Sequence, residues 1–310
     1  MTRVAVIGSS GQLGSELVTV LRESGRYQVV PLAHPDIEVA DSGSTRAALA
    51  LARPDVVVNC AAFVRVDDAE DNADDALRVN ALGALQVARV CAELNALCAY
   101  VSTDYVFDGQ KGSPYTEDDC PRPVNVYGAS KLAGEFLVQQ SCQRWLIVRT
   151  AGLFGVRGAR GKGGNFVETI ITRARRRIPL KVVADVRSSP TYARDMASGL
   201  ERLLQHQTTG FVHLANSGAC TWFEFARAIV DYAGLEAEPQ GVSSEEYSCR
   251  ARRPRDSALT SVRAPLFGVD GLRRWQDALW AYLVDAGHVA REEQSGPPRF
   301  PSPPQERMSS

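Results

Sequence analysis

Lysine is scarce in this chain. Four of its 310 residues are Lys, at 111, 131, 162 and 181, against 31 Arg. The 35 basic residues are matched by 36 acidic ones, for a net charge of −1. That balance gives no electrostatic case for a nucleic-acid partner or a membrane surface. No apolar run approaches the ~20 residues of a membrane span. Met1-Thr2-Arg3 runs straight into an apolar strand, which reads as no signal peptide. Cysteines are seven, an odd number, with no C-x-x-C pair. No His/Cys cluster has metal-ligand spacing, so no metal is expected. Cys91 and Cys98, among apolar neighbours, read as buried thiols, and a reducing cytoplasm fits them best. No internal repeat is visible. At 45% hydrophobic and 23% charged, the chain has an ordinary globular composition. Its length can fill one large α/β domain or two joined lobes.

Against that scarcity, Tyr127-Gly128-Ala129-Ser130-Lys131 stands out. Positions i and i+4 share a helix face, so the phenol and the ammonium can meet. A lysine there would lower the phenol's pKa from its model value near ~10. Ser102-Thr103-Asp104 lies upstream and offers a hydroxyl to share the proton. This is apparatus for protonating a carbonyl oxygen while a hydride reaches its carbon. Random placement of nine Tyr and four Lys gives such a spacing roughly one time in nine. The reading therefore needs a nicotinamide site in front of the pair.

The amino terminus supplies a candidate. Thr2 to Ile7 is a short β-branched run ending at Gly8. Gly8-Ser9-Ser10-Gly11-Gln12-Leu13-Gly14 follows, and Ser15 to Glu23 reads as a helix. Strand, glycine turn and helix are the context of a dinucleotide fingerprint. Glycines let the backbone approach a pyrophosphate at the positive end of the helix. The spacing is G-x-x-G-x-x-G rather than the commoner G-x-G-x-x-G.

Further strands are expected at Tyr27–Leu32, Asp55–Asn59, Leu97–Ser102 and Trp145–Arg149, with helices near 44–52, 73–95 and 126–140. Their continuous apolar character indicates burial on both faces, hence a parallel sheet. The expected fold is a Rossmann-type, doubly wound α/β sheet with a smaller α/β substrate lobe. Residues 1–155 are assigned mainly to the dinucleotide domain and 156–290 mainly to the interleaved lobe. Ala61-Ala62, Ser102-Thr103-Asp104 and Thr150 follow strands and should line one crevice. Gly155 to Gly164 reads as a mobile loop. In the second half, helices are expected at 165–177, 191–206, 221–233 and 271–286, and strands near 181–184 and 211–214. Residues 291–310 hold five Pro and few apolar groups, and read as a disordered tail.

Together these segments resemble the extended short-chain dehydrogenases, and within them the dTDP-4-dehydrorhamnose reductase family of nucleotide-sugar reductases. The resemblance covers about residues 3 to 285. Besides the glycine turn, its carriers are Val66-Asp67-Asp68-Ala69-Glu70, Ser102-Thr103-Asp104-Tyr105-Val106-Phe107-Asp108-Gly109, Asn125 to Glu135, Arg149-Thr150, Asn165-Phe166 and Ser189-Pro190-Thr191. It implies reduction of the 4-keto group of a nucleotide-linked deoxyhexose, dTDP-4-dehydro-L-rhamnose before others, by NADPH or NADH. It makes Tyr127 the proton donor, Lys131 the holder of the nicotinamide ribose, and Thr103 the ligand of the substrate oxygen, with Asp104 beside it. Gly8, Gly11, Gln12, Leu13 and Gly14 would wrap the pyrophosphate. Ala61, Ala62 and Phe63 would pass the ribose, braced by Asn80.

Two positions depart from the family pattern. Arg149-Thr150-Ala151-Gly152 stands where the family often has R-T-S-W, so the Trp that packs on the sugar is missing. Asp185 to Thr191 replaces Q-x-G-x-P-T, and its Arg187 either reaches a phosphate or is solvated. In the Arg-rich segment Arg250 to Arg255, Arg253 is the expected diphosphate ligand, since guanidinium meets phosphate bidentately. After the second strand Asp36 comes late and behind a proline, and no Arg is adjacent; with no acid well placed to repel a 2′-phosphate, the cofactor leans toward NADPH. A homodimer stays open. Two alternatives remain: a non-catalytic NADP-binding module like the regulatory subunit of methionine adenosyltransferase, and an epimerase or dehydratase that recycles its cofactor.

Overall fold

The computed structural model describes residues 1–157, 164–247, 249–269 and 271–290. The expected tail at 291–310 and the centre of the 155–164 loop lie outside the described residues. Six parallel strands form the central sheet: β1 (Thr2–Ile7), β2 (Tyr27–Leu32), β3 (Val56–Asn59), β4 (Leu97–Thr103), β5 (Trp145–Thr150) and a later strand, β10 (Gly210–His213). Their order is β10-β5-β4-β3-β1-β2. The order reverses between β1 and β3, the switch point where such sheets take ligands beyond the strands' carboxyl ends.

Side chains alternate across each strand, so one run feeds two cores. Val4 and Val6 of β1 point to the side packed by α1 (Gln12–Glu23) and α8 (Ala193–Gln205), among Leu17, Leu200 and Leu203. Ala5 and Ile7 point to the side of α2 (Ser42–Ala52), α5 (Ala84–Glu93) and α6 (Val126–Ser141), among Leu49, Val87 and Val138. Burial on both faces is what the unbroken apolar runs predicted. A short helix with no sequence counterpart, α3 (Val66–Asp71), comes first, and the expected helix at 73–95 is broken into α4 (Ala73–Leu77), a π-helical turn at Arg78–Gly83, and α5. Asn80 sits in the π turn, where a widened helix turn redirects one side chain.

A second core joins α7 (Phe166–Arg175), α9 (Trp222–Tyr232) and α10 (Trp275–Asp285) around Ile170, Phe225, Ile229, Leu279 and Tyr282. Short pairs frame it: β6 (Leu153–Phe154) with β9 (Thr191–Tyr192), β7 (Lys181–Val183) with β13 (Gln240–Val242), β8 (Arg187–Ser188) with β12 (Cys220–Thr221), and β11 (Asn216–Ser217) with β14 (Leu272–Arg274). Although α8 and β10 come late in sequence, they pack with the sheet. No helix among the described residues is long and apolar enough to cross a membrane.

Candidate active site

At the carboxyl ends of β1, β3, β4 and β5 lies a cavity of about 750 Å³. It is lined by Gly8, Gly11, Gln12 and Leu13 from the first turn, by Ala61, Ala62 and Phe63 after β3, and by Thr103, Asp104, Tyr127 and Lys131. Thr150 completes the expected crevice.

The glycine turn is built for a close approach. Gly8 has φ +74°, and an added Cβ would sit 3.1 Å from the Ala61 amide. Gly14 lies behind it, where a Cβ would come 2.2 Å from the Gly8 carbonyl. Helix α1 starts at Gln12, three residues earlier than the sequence pattern indicated, with Gly11 as an N-cap that offers no side-chain acceptor. No acid occupies its first turn, so its free N–H groups and positive dipole suit an anion. These features fit the pyrophosphate of a dinucleotide.

Asn80 does not line the cavity but builds its wall. Its Oδ1 accepts the Phe63 N–H at 2.8 Å, and its Nδ2 donates to the Phe63 carbonyl and to Ser130 Oγ. Ser130 Oγ in turn donates to the Tyr127 carbonyl at 2.8 Å. One buried amide thus joins the loop after β3 to the helix carrying Tyr127.

Asn125 caps α6 by accepting the Gly128 N–H at 2.7 Å. A Cβ on Gly128 would fall 2.1 Å from the Tyr105 carbonyl, so the glycine brings α6 against the segment after β4. Tyr127 thereby stands beside Thr103 in the cavity. Thr103 Oγ1 donates to Asp104 Oδ1 at 3.0 Å. Asp104 Oδ2 accepts from Ser257 Oγ at 2.5 Å. Burial raises the Asp104 carboxyl to about 6 despite these donors.

The expected lysine effect on Tyr127 is not what the structure holds. Burial pushes the phenol up to about 12, and Thr103 is the group that pulls it back. Lys131 Nζ donates instead to the Val101 carbonyl at 2.7 Å and lies over the Tyr100 ring. Its own burial lowers it to about 7.

A second cavity, about 920 Å³, adjoins the first along Val66, Tyr105, Phe166, Val186 and Trp222. Arg253 lines it, with Arg173, Lys181, Arg252 and Arg255. Arg187 lines neither cavity; its guanidinium stands 3.6 Å from Asp256, half exposed. Residues on β8 alternate in direction, and Ser188 rather than Arg187 faces the first cavity.

Sequence reasoning passed over Ser188, Ser257, Trp222 and Glu38, all of which line the first cavity. Ser257 and Trp222 come from distant segments with no local signal. Glu38 stands 3.1 Å from His34 beyond β2. Asp36, the acid that was weighed, turns back to accept the Ala33 N–H.

The family model described as "RmlD substrate binding domain" matches residues 2–287. The chain is 39% identical to a spore coat polysaccharide biosynthesis protein, SpsK, of Bacillus subtilis, covering 92% of this chain and 98% of that one. It is 37% identical to a dTDP-4-dehydrorhamnose reductase of Burkholderia thailandensis, covering 91% and 98%. The crystal structure of a dTDP-4-dehydrorhamnose reductase from Bacillus anthracis, in complex with NADP, superimposes with a TM-score of 0.86 at 35% identity, over 92% of this chain and 99% of that one.

Proposed function

We infer the function from one premise: the chain belongs to the RmlD family, the dTDP-4-dehydrorhamnose reductases. The reading is an NAD(P)H-dependent reductase of the 4-keto group of a nucleotide-linked deoxyhexose, with dTDP-4-dehydro-L-rhamnose as first candidate. The observation that carries it is the meeting of Thr103, Tyr127 and Lys131 in the cavity that the glycine turn opens.

When bound, the nicotinamide cofactor supplies a hydride to the keto carbon. Tyr127 gives its phenolic proton to the keto oxygen. The Thr103 hydroxyl, whose single hydrogen points to Asp104 at 3.0 Å, turns it to the keto oxygen when substrate binds. Lys131 and the Ala61–Phe63 loop hold the ribose side, and residues 11–13 the pyrophosphate. The second cavity takes the nucleotide, with Arg253 on its diphosphate. Glu38 suits a ribose 2′-hydroxyl and a protonated His34 a 2′-phosphate, so both cofactors belong in the assay. An intact proton-transfer trio is unneeded in a pure binding module, which favours the enzyme.

The test is oxidation of NADPH and of NADH against a panel of nucleotide-linked 4-keto-hexoses. Stoichiometric consumption with one of them supports the reductase. Turnover of substrate without net consumption would identify an epimerase or dehydratase instead.

A further inference from the structure

The acidic segment Val66-Asp67-Asp68-Ala69-Glu70 has no part in the chemistry assigned so far. In the fold it forms α3, and its two ends reach in different directions. Glu70 Oε1 accepts the Val126 N–H at 2.9 Å, fixing the first turn of α6. Asp67 reaches the Arg-rich segment: Oδ1 accepts from Arg253 Nη1 and Oδ2 from Nη2, each at 2.7 Å. Asp67 Oδ1 also accepts the Ala251 N–H at 3.0 Å, and Arg253 Nη1 donates to the Ala251 carbonyl at 2.8 Å.

These bonds use both Nη1 hydrogens and one of the two on Nη2. A guanidinium has five N–H donors, so Nε–H and the other Nη2–H remain on the side-on edge, beside the Tyr105 hydroxyl, a neutral acceptor that a phosphate can displace. Two parallel N–H groups are the fork that grips one phosphate. The side chain is only 23% exposed and lines the second cavity, next to Tyr105 at the seam with the first. Its guanidinium holds the Asp67 carboxyl down at about 2, so the pair stays ionised.

We propose that Asp67 is a positioning residue for the substrate: it pins the end-on edge of Arg253 so that the side-on edge grips a phosphate of the nucleotide diphosphate. The kind of ligand rests on the reductase reading; the role of Asp67 goes beyond it. A carboxylate beside an anion site repels the anion unless it holds the cation that binds it. Here it freezes an otherwise flexible side chain before the ligand arrives, which reduces the ordering entropy lost on binding. The opposing reading is that Asp67 competes with substrate for Arg253. The two readings differ in sign.

Calorimetric titration of dTDP into wild type, Asp67→Asn, Arg253→Ala and the double variant separates them, alongside kcat and KM for the nucleotide-sugar. Asp67→Asn should weaken dTDP binding and raise KM roughly five- to ten-fold, the scale of one ordinary net hydrogen bond. Cofactor affinity and kcat should stay within about two-fold. In the Arg253→Ala background, Asp67→Asn should add nothing, because it acts through that arginine. Asp67→Glu, which keeps the charge, should recover part of the loss. Tighter dTDP binding by Asp67→Asn would show competition and overturn the proposal; so would additive losses, or no dTDP binding by wild type. If dTDP binding depends on both residues but no keto-sugar is reduced, the positioning role stands and the reductase reading falls. If wild type reduces a keto-sugar and Asp67→Asn is unchanged, the reverse holds.

Discussion

The ammonium of Lys131 lies 3.9 Å from the centroid of the Tyr100 ring. The ring is fixed by its hydroxyl, which donates to the Asn80 carbonyl at 2.8 Å. A ring face and the Val101 carbonyl both favour the charged lysine. Burial opposes them and brings it to about 7, with the Glu135 carboxylate the strongest force the other way. Lys131 therefore exchanges its proton near neutral pH, although it stands one helical turn from a phenol that does not.

Replacing it tests that poise. Lys131→Met keeps the length and removes the charge, so cofactor affinity and kcat should fall together. Wild-type activity that needs the cation should decline as pH rises through about 7, and the variant should lack that step. Profiles from pH 6 to 9 that coincide, with equal cofactor affinity, would leave Lys131 a structural residue.

Tyr127→Phe should separate binding from chemistry. It removes one hydroxyl and keeps the ring, which meets the Tyr105 ring edge-on at 5.9 Å. Cofactor affinity should persist while kcat drops ~10²–10⁴-fold, the usual share of positioned acid catalysis. A variant keeping more than about a tenth of the wild-type rate would remove Tyr127 from the acid role.

Local signals read well and relationships across the chain did not. The inner strands of the central sheet were visible as apolar runs, because burial on both faces leaves no polar alternation to confuse the pattern; the edge strands β2 and β10 are only partly buried. Tyr127 and Lys131 were visible through helical spacing. What Lys131 touches was not, since Tyr100 and Val101 belong to another strand. Glu135 and Arg149, fourteen residues apart, form a fully buried pair that no local pattern announces. For Arg187 the sequence leaves a phosphate ligand and a solvated side chain open, and strand alternation turns it outward. Arg253, expected on the diphosphate, lines the second cavity, but nothing local reveals that Asp67, far upstream in sequence, holds it.

The buried pair predicts an unusual stability pattern. Glu135 accepts from Arg149 Nε at 2.9 Å and Nη2 at 2.7 Å, and from Ser102 Oγ at 2.5 Å. Glu135→Ala leaves a guanidinium buried without its counter-charge, which should lower unfolding free energy by about 3–5 kcal/mol. Replacing both, as Glu135→Leu with Arg149→Met, should lose much less. Urea titrations of the three proteins measure this, and equal losses in single and double variants would contradict it.

Asp104 sets a trade between stability and function. It is 3% exposed, and burial outweighs the Thr103 and Ser257 hydroxyls, raising its pKa from an ordinary 3.8 to about 6. A group raised in the folded state binds its proton more tightly there than in the unfolded chain. Stability is then full below pH 3.8 and is lost as pH rises through about 6. At pH 8 the buried carboxylate costs about 3 kcal/mol at most. Asp104→Asn keeps the shape without the charge. It should melt several degrees above wild type at pH 8, at roughly 2–4 °C per kcal/mol for a domain of ordinary size. The gap should shrink toward pH 4, where wild type is largely protonated too. Activity should fall at pH 8, because the Thr103 hydroxyl loses its charged acceptor and its fixed rotation, and the deficit should narrow toward pH 4.5, where wild type has lost that charge too. Scanning fluorimetry at pH 4.5 and 8 decides the first part. An offset independent of pH, or an Asn variant that melts lower at pH 8, would mean that the hydroxyl donors outweigh burial and that Asp104 stabilises the site it serves.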